Sequence, residues 1–171
     1  LVEAQLAKGA ATNAMMRSTT AMTLLNAGNK VNVLPGEASA VINFRLLPGD
    51  SSASVAEHVK RVVADDRIEV QTLQPVAEPS GVSSAEAPAY KLIERTVREV
   101  FPDALVAPGL VIAGTDSRHF GPVADNVYRF MPIRFRNEDL PRVHGTDERI
   151  ATAQLVDMVR FYHRLLTQVG S

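Results

Sequence analysis

The chain has 171 residues, 46% of them hydrophobic, enough for one ordinary domain or two small ones with a sizeable core. Its 18 Lys and Arg against 19 Asp and Glu leave a net charge of −1, which argues against a surface built to neutralise nucleic-acid phosphates. No apolar run is long enough to cross a bilayer, and with no Cys there are neither disulfides nor thiolate ligands, so any metal must be held by His, Asp or Glu. The first residue is Leu1, so the start reads as cut, and targeting signals and compartment stay open.

Leu1 to Gly9 reads as the frayed end of a helix, and the Thr, Met and Leu of 18–27 as a strand. In 38–47, Ala38, Ala40, Ile42, Phe44 and Leu46 alternate with Ser39, Asn43 and Arg45, the period of a half-buried strand that turns Arg45 away from the core. The segment between them, from Asn26 through Val31-Asn32-Val33-Leu34-Pro35-Gly36, is a turn and crossing segment. Pro48-Gly49-Asp50 ends the second strand. Ser54 and Glu57 have capping-box spacing for a helix whose apolar stripe is Val55, Val59, Val62 and Val63. Residues 67–73 alternate again, with Ile68 and Val70 inward.

Composition shifts at Pro75-Val76-Ala77-Glu78-Pro79-Ser80-Gly81, which reads as a linker, so the chain divides into residues 1–77 and 78–171. Ser83 and Glu86 repeat the capping spacing before a helix lined by Tyr90, Ile93, Val97 and Val100 and stopped by Pro102. Residues 105–113 are nearly all apolar, as in a strand buried on both faces, and 127–135 reads as another strand with a bulge or edge at Pro132. A closing helix follows Thr146, with Ala151, Leu155, Val159, Tyr162 and Leu166 on one side. The alternation of helix and strand predicts an α/β fold.

Polar residues gather at several points outside this scaffold. Asn32 offers an amide that can donate to an oxyanion, and Arg45 a guanidinium that can grip a carboxylate. The plainer reading is an Asn that stabilises a turn and an Arg on a solvated sheet face. Gly114-Thr115-Asp116-Ser117-Arg118-His119 follows the apolar run, where a turn into a helix exposes backbone N–H groups, or where Thr115 or Asp116 simply caps the helix. His144, in Arg142-Val143-His144-Gly145-Thr146-Asp147-Glu148, is a loop imidazole flanked by acids, while His58 and His163 fall inside amphipathic helices.

Taken in order, these runs say more. Arg17-Ser18-Thr19-Thr20-Ala21, Lys30-Val31-Asn32-Val33-Leu34-Pro35 and Val41-Ile42-Asn43-Phe44-Arg45-Leu46-Leu47-Pro48-Gly49 resemble the lid region of the zinc exopeptidase family of aminoacylases, carboxypeptidase S, carboxypeptidase G and succinyl-diaminopimelate desuccinylase. Gly114-Thr115-Asp116-Ser117-Arg118 and the run from Arg142 to Arg149 resemble that family's last two catalytic-domain motifs. The pattern lies nearest the carboxypeptidase S and N-acyl-amino-acid hydrolase branch.

The resemblance implies the later part of a ferredoxin-like α/β lid over 1–77, followed by the C-terminal part of an α/β zinc-peptidase catalytic domain over 78–171. It implies a hydrolase that cleaves an amide beside a free carboxylate, uses two zinc ions and pairs as a homodimer through its lid. His144 is then a zinc ligand and Asn32 the lid residue that holds the substrate carbonyl or oxyanion. Arg45 binds the substrate carboxylate, and Gly114 with Thr115 line the pocket. The family's other ligands and its general base belong to upstream motifs that the sequence does not contain, so the chain alone is expected to be inactive. Two other readings stand beside this one: a non-catalytic dimerisation or binding module, and a weaker metal-free hydrolase built on Asp116 and His119.

Overall fold

A computed structural model describes residues 1–170, and the chain forms two compact units. Residues 1–82 with 110–118 make unit 1; residues 83–109 with those from 119 onward make unit 2. The fold is α/β, with a small antiparallel sheet and helices.

Unit 1 begins with two one-turn helices, α1 (Val2–Leu6) and α2 (Ala10–Ala14). Strands β1 (Thr19–Ala27) and β2 (Ala38–Arg45) then pair antiparallel, from Thr19 opposite Arg45 to Ala27 opposite Ala38. The register slips between Met22 and Leu24, leaving Thr23 as the extra residue of a bulge, where its Oγ1 donates to the Val41 carbonyl at 3.2 Å. The bulge breaks the simple alternation expected for β2: Val41 and Phe44 are half-buried, whereas Ala38, Ala40 and Ile42 are exposed.

Helix α3 (Ser52–Val63) starts two residues before the predicted cap. Ser51 is the N-cap: its Oγ accepts from Ser54 N at 3.1 Å, while Ser54 Oγ accepts from Ser51 N at 3.0 Å. Ser54 therefore serves as the return partner of a capping box and not as its first residue, which leaves Glu57 with no capping part. Val55, Val59 and Val63 are half-buried as the stripe requires, but Val62 is 67% exposed. Ala64 stops the helix in the left-handed region, at φ 47°. The Glu78 carboxylate reaches back to the helix start and accepts from Ser52 N at 3.0 Å and from Ser52 Oγ.

The strand expected over 67–73 does not form. Arg67 turns onto Asp65, with its backbone N at 3.0 Å from Oδ1 and its guanidinium at 2.6 Å from Oδ2. Alternation marks a face, but a strand also needs a neighbour to complete its ladder, and among the described residues the sheet consists of β1 and β2.

In unit 2, α4 (Pro88–Val100) begins with Pro at its first position and packs on α5 (Thr152–Val169). Their shared core is Val97, Phe101 and Phe161, with Ile93, Val100, Ala104, Val106 and Leu165 against it. Thr96 is fully buried and donates to the Leu92 carbonyl at 2.8 Å. A polar seam closes the joint: Glu99 accepts from Arg164 at 2.6 Å and Gln168 at 3.1 Å, and Gln168 accepts from Arg95 at 2.9 Å.

Ser83 and Glu86 do not cap α4. Ser83 Oγ instead exchanges bonds with the backbone of Val127, accepting from its N at 2.8 Å and donating to its O at 3.1 Å. The segments expected as strands over 105–113 and 127–135 lack pairing. Leu105 is fully exposed, so the apolar run is not buried on both faces, and from Leu110 the chain belongs to unit 1. The 127–135 segment is held by side chains: Tyr128 OH donates to Ser84 O at 2.7 Å, and Phe130 stacks on Phe161 at 5.2 Å. Arg134 makes a two-pronged pair with Asp103 at 2.8 and 2.9 Å.

Helix α5 corrects another expectation. Leu155, Val159, Tyr162 and Leu166 share a side as predicted, yet that side is exposed, and it is Phe161 and Leu165 that pack on α4.

Candidate functional site

Asn32 lies in the turn of 31–33, in the loop that joins β1 to β2. Gly28 closes that loop: its φ is +70°, and a Cβ placed there would stand 3.3 Å from the Pro35 ring. The left-handed backbone and the close approach both favour Gly, and they return the chain toward β2 with Asn32 projecting into solvent. Arg45 is the last residue of β2 and is also exposed. Among the described residues, no side-chain hydrogen bond or ion pair engages Asn32 or Arg45, so both polar ends are available to a ligand.

Gly114 and Thr115 precede a 3₁₀ turn, Asp116–Phe120. Thr115 Oγ1 accepts from Ser117 N at 3.3 Å and bonds to Ser117 Oγ, a local turn that opens the 3₁₀ segment. A Cβ on Gly114 would meet nothing within 4 Å, so packing in this chain does not account for Gly there. Asn32, Arg45, Gly114 and Thr115 all belong to unit 1.

His144 belongs to unit 2 and follows a second 3₁₀ turn, Asn137–Arg142. Asp139 braces that turn, accepting from Arg136 N at 2.9 Å and from Arg142 Nη1 at 2.9 Å. Gly145 N then donates to Arg142 O at 2.8 Å. A Cβ at Gly145 would come within 2.9 Å of Pro141 O and 3.1 Å of Arg142 O, both backbone atoms that cannot easily give way. His144 adopts φ 59°, in the left-handed region that few side chains occupy, and its imidazole is exposed. A strained backbone under a solvent-facing imidazole is a feature worth a functional hypothesis. The sequence signal for this constrained Gly145 is the His-Gly pair after a Pro-containing turn.

The described residues do not by themselves fit a zinc ion. Among them, no three His, Asp or Glu side chains group as a metal site. One imidazole falls short of the three or four protein ligands that zinc takes. The depression lined by Lys91, Glu94, Arg95, Arg98 and Glu99 on α4 includes none of the candidate residues, and its charged groups are engaged locally, as in Arg98 with Glu94 at 2.7 Å and Arg95 with Gln168 at 2.9 Å.

Residues 2–70 match the family model of the peptidase dimerisation domain. Over most of its length the chain is similar to carboxypeptidase S-like and PM20D1-like hydrolases. It is 44% identical over 154 residues, 90% of its length, to "Probable carboxypeptidase S-like 2" of Dictyostelium discoideum, covering 30% of that protein. It is 41% identical over 152 residues, 88% of its length, to the N-fatty-acyl-amino acid synthase/hydrolase PM20D1 of Mus musculus, again covering 30% of it. The human protein of that name is 40% identical over 157 residues, with 91% of this chain and 31% of the relative covered. The chain thus spans about a third of the length of these curated relatives. No solved structure matches it.

Proposed function

We propose that the chain is the lid and C-terminal catalytic part of a two-zinc hydrolase that cleaves an amide or peptide bond beside a free carboxylate. What carries this reading is the 41% identity, over 88% of the chain, to a protein named as an N-fatty-acyl-amino acid synthase/hydrolase. In this reading the Asn32 amide donates to the carbonyl oxygen as negative charge develops on it, and the Arg45 guanidinium holds the substrate carboxylate. Gly114 and Thr115 line the same pocket through their backbone. His144 supplies one imidazole to the metal site, and the remaining ligands and the general base come from polypeptide outside these 171 residues. The dimerisation-domain match over 2–70 supports assembly as a homodimer.

That same match favours a second reading, a dimerisation or binding module with no chemistry of its own. An assay of the purified 171-residue chain, with and without added zinc, tests the assignment of roles. Neither sample should hydrolyse N-acyl amino acids or peptides with a free carboxylate. Zinc-dependent turnover by this chain would overturn the assignment.

A further inference from the structure

The chain exposes 13826 Å² of surface. Two separate compact monomeric domains, each with half of its 18.5 kDa, would together expose only about 9,900 Å². The excess is roughly 3,900 Å², even with no burial between the two units. A standard protein interface covers about 800 Å² of each partner, and the largest common obligate dimers about 2,500 Å². A second copy burying a standard interface would leave most of the excess exposed.

The clearest part of it lies on α5. Leu155, Val159, Tyr162, Leu166 and Val169 follow one another at steps of four, three, four and three, and each is between 40% and 69% exposed. That is the spacing of a helix-packing seam. The packed seam through Phe161 and Leu165 lies one residue earlier in the repeat, about 100° round the helix. Helix α5 is thus apolar on two adjacent faces, and α4 covers one of them.

We infer that the 155–159–162–166–169 face of α5 is a buried packing surface in the working protein, covered by polypeptide from outside these 171 residues and not by a second copy. The relatives supply the reason for that occupant, since about two-thirds of their length has no counterpart in this chain. The inference rests on the proposed function only in the choice of complementing polypeptide.

The test is complementation in trans. The mouse N-fatty-acyl-amino acid synthase/hydrolase, with the segment that matches this chain deleted, is co-expressed with the tagged 171-residue chain. The expected result is a purified complex in which the amides of α5 exchange at least tenfold more slowly than in the chain alone. Val159→Glu with Leu166→Glu should reduce capture at least tenfold. Far-UV circular dichroism of the variant chain should match that of the parent, because both side chains face solvent in it. No capture, or equal capture of parent and variant, overturns the inference. So does an isolated chain that self-associates and loses that association in the same variant, because a copy would then be the occupant. Hydrolysis of an N-fatty-acyl amino acid by the complex is scored separately: capture without hydrolysis sinks the proposed activity and leaves the packing surface standing.

Discussion

His144 sits at φ 59°, and Gly145 follows it against the carbonyls of Pro141 and Arg142. The identity of this pair was readable in the sequence, but the backbone state was not, because the sign of φ is set by the surrounding turn and not by the residue type alone. His144→Gly should therefore keep or raise the stability of the isolated chain, by up to about 1 kcal/mol, while removing the imidazole. Gly145→Ala should lower it by about 1–3 kcal/mol, as expected where a Cβ must displace backbone. Chemical denaturation of the two variants beside the parent reads both effects. Asn32 and Arg45 were legible as residue types, in a crossing segment and on the outer side of a strand, and the structure adds that Arg45 ends its strand and that both are exposed. In a complete enzyme carrying this chain, Asn32→Ala should lower turnover by about 10²–10³-fold if its amide faces the oxyanion. Arg45→Ala should raise KM for free carboxylates and affect the corresponding esters far less.

At the scale of elements, β1, β2, α4 and α5 were readable because each carries its own signal: Thr, Met and Leu content in β1, period-2 alternation in β2, and a helical apolar period in α4 and α5. The segments at 67–73, 105–113 and 127–135 misled for one reason. Apolar patterning, alternating in 67–73 and nearly continuous in 105–113, shows what a strand would bury, but not whether a neighbour is present to accept its hydrogen bonds. Helix α5 shows a related limit, since periodicity finds an apolar face without saying which of two adjacent faces meets α4. Phe161, 1% exposed at the centre of the α4–α5 joint, is the test of that assignment. Phe161→Ala should destabilise unit 2 by about 3–5 kcal/mol, whereas Val159→Ala on the exposed face should cost less than about 0.5 kcal/mol in the isolated chain.

Unit 2 should also be acid-sensitive. The hydrogen bond from Arg164 holds the Glu99 carboxyl below its ordinary value of 4.5, and the Arg134 guanidinium holds Asp103 below 3.8. Both are carboxylates with lowered folded values, so their contributions are present above the ordinary values and are lost as pH falls through the folded ones. The melting temperature of unit 2 should fall as pH drops below 4.5, and Glu99→Gln should flatten part of that slope.

At the scale of the whole molecule, the peptidase dimerisation domain match over 2–70 and the exposed α5 face point to two kinds of contact. Sedimentation of the 171-residue chain should show dimers at high concentration through residues 2–70, insensitive to Val159→Glu. A strict monomer would count against pairing through this segment. The central claim, that these residues form part of a hydrolytic site, is tested most directly in a chimera. The segment of the mouse N-fatty-acyl-amino acid synthase/hydrolase that matches this chain is replaced by the chain itself, and hydrolysis of an N-fatty-acyl amino acid is measured together with bound zinc. The chimera should hydrolyse the substrate, and His144→Ala should abolish turnover and lower zinc content. A folded, active chimera whose turnover and zinc content are unchanged by His144→Ala would contradict the account.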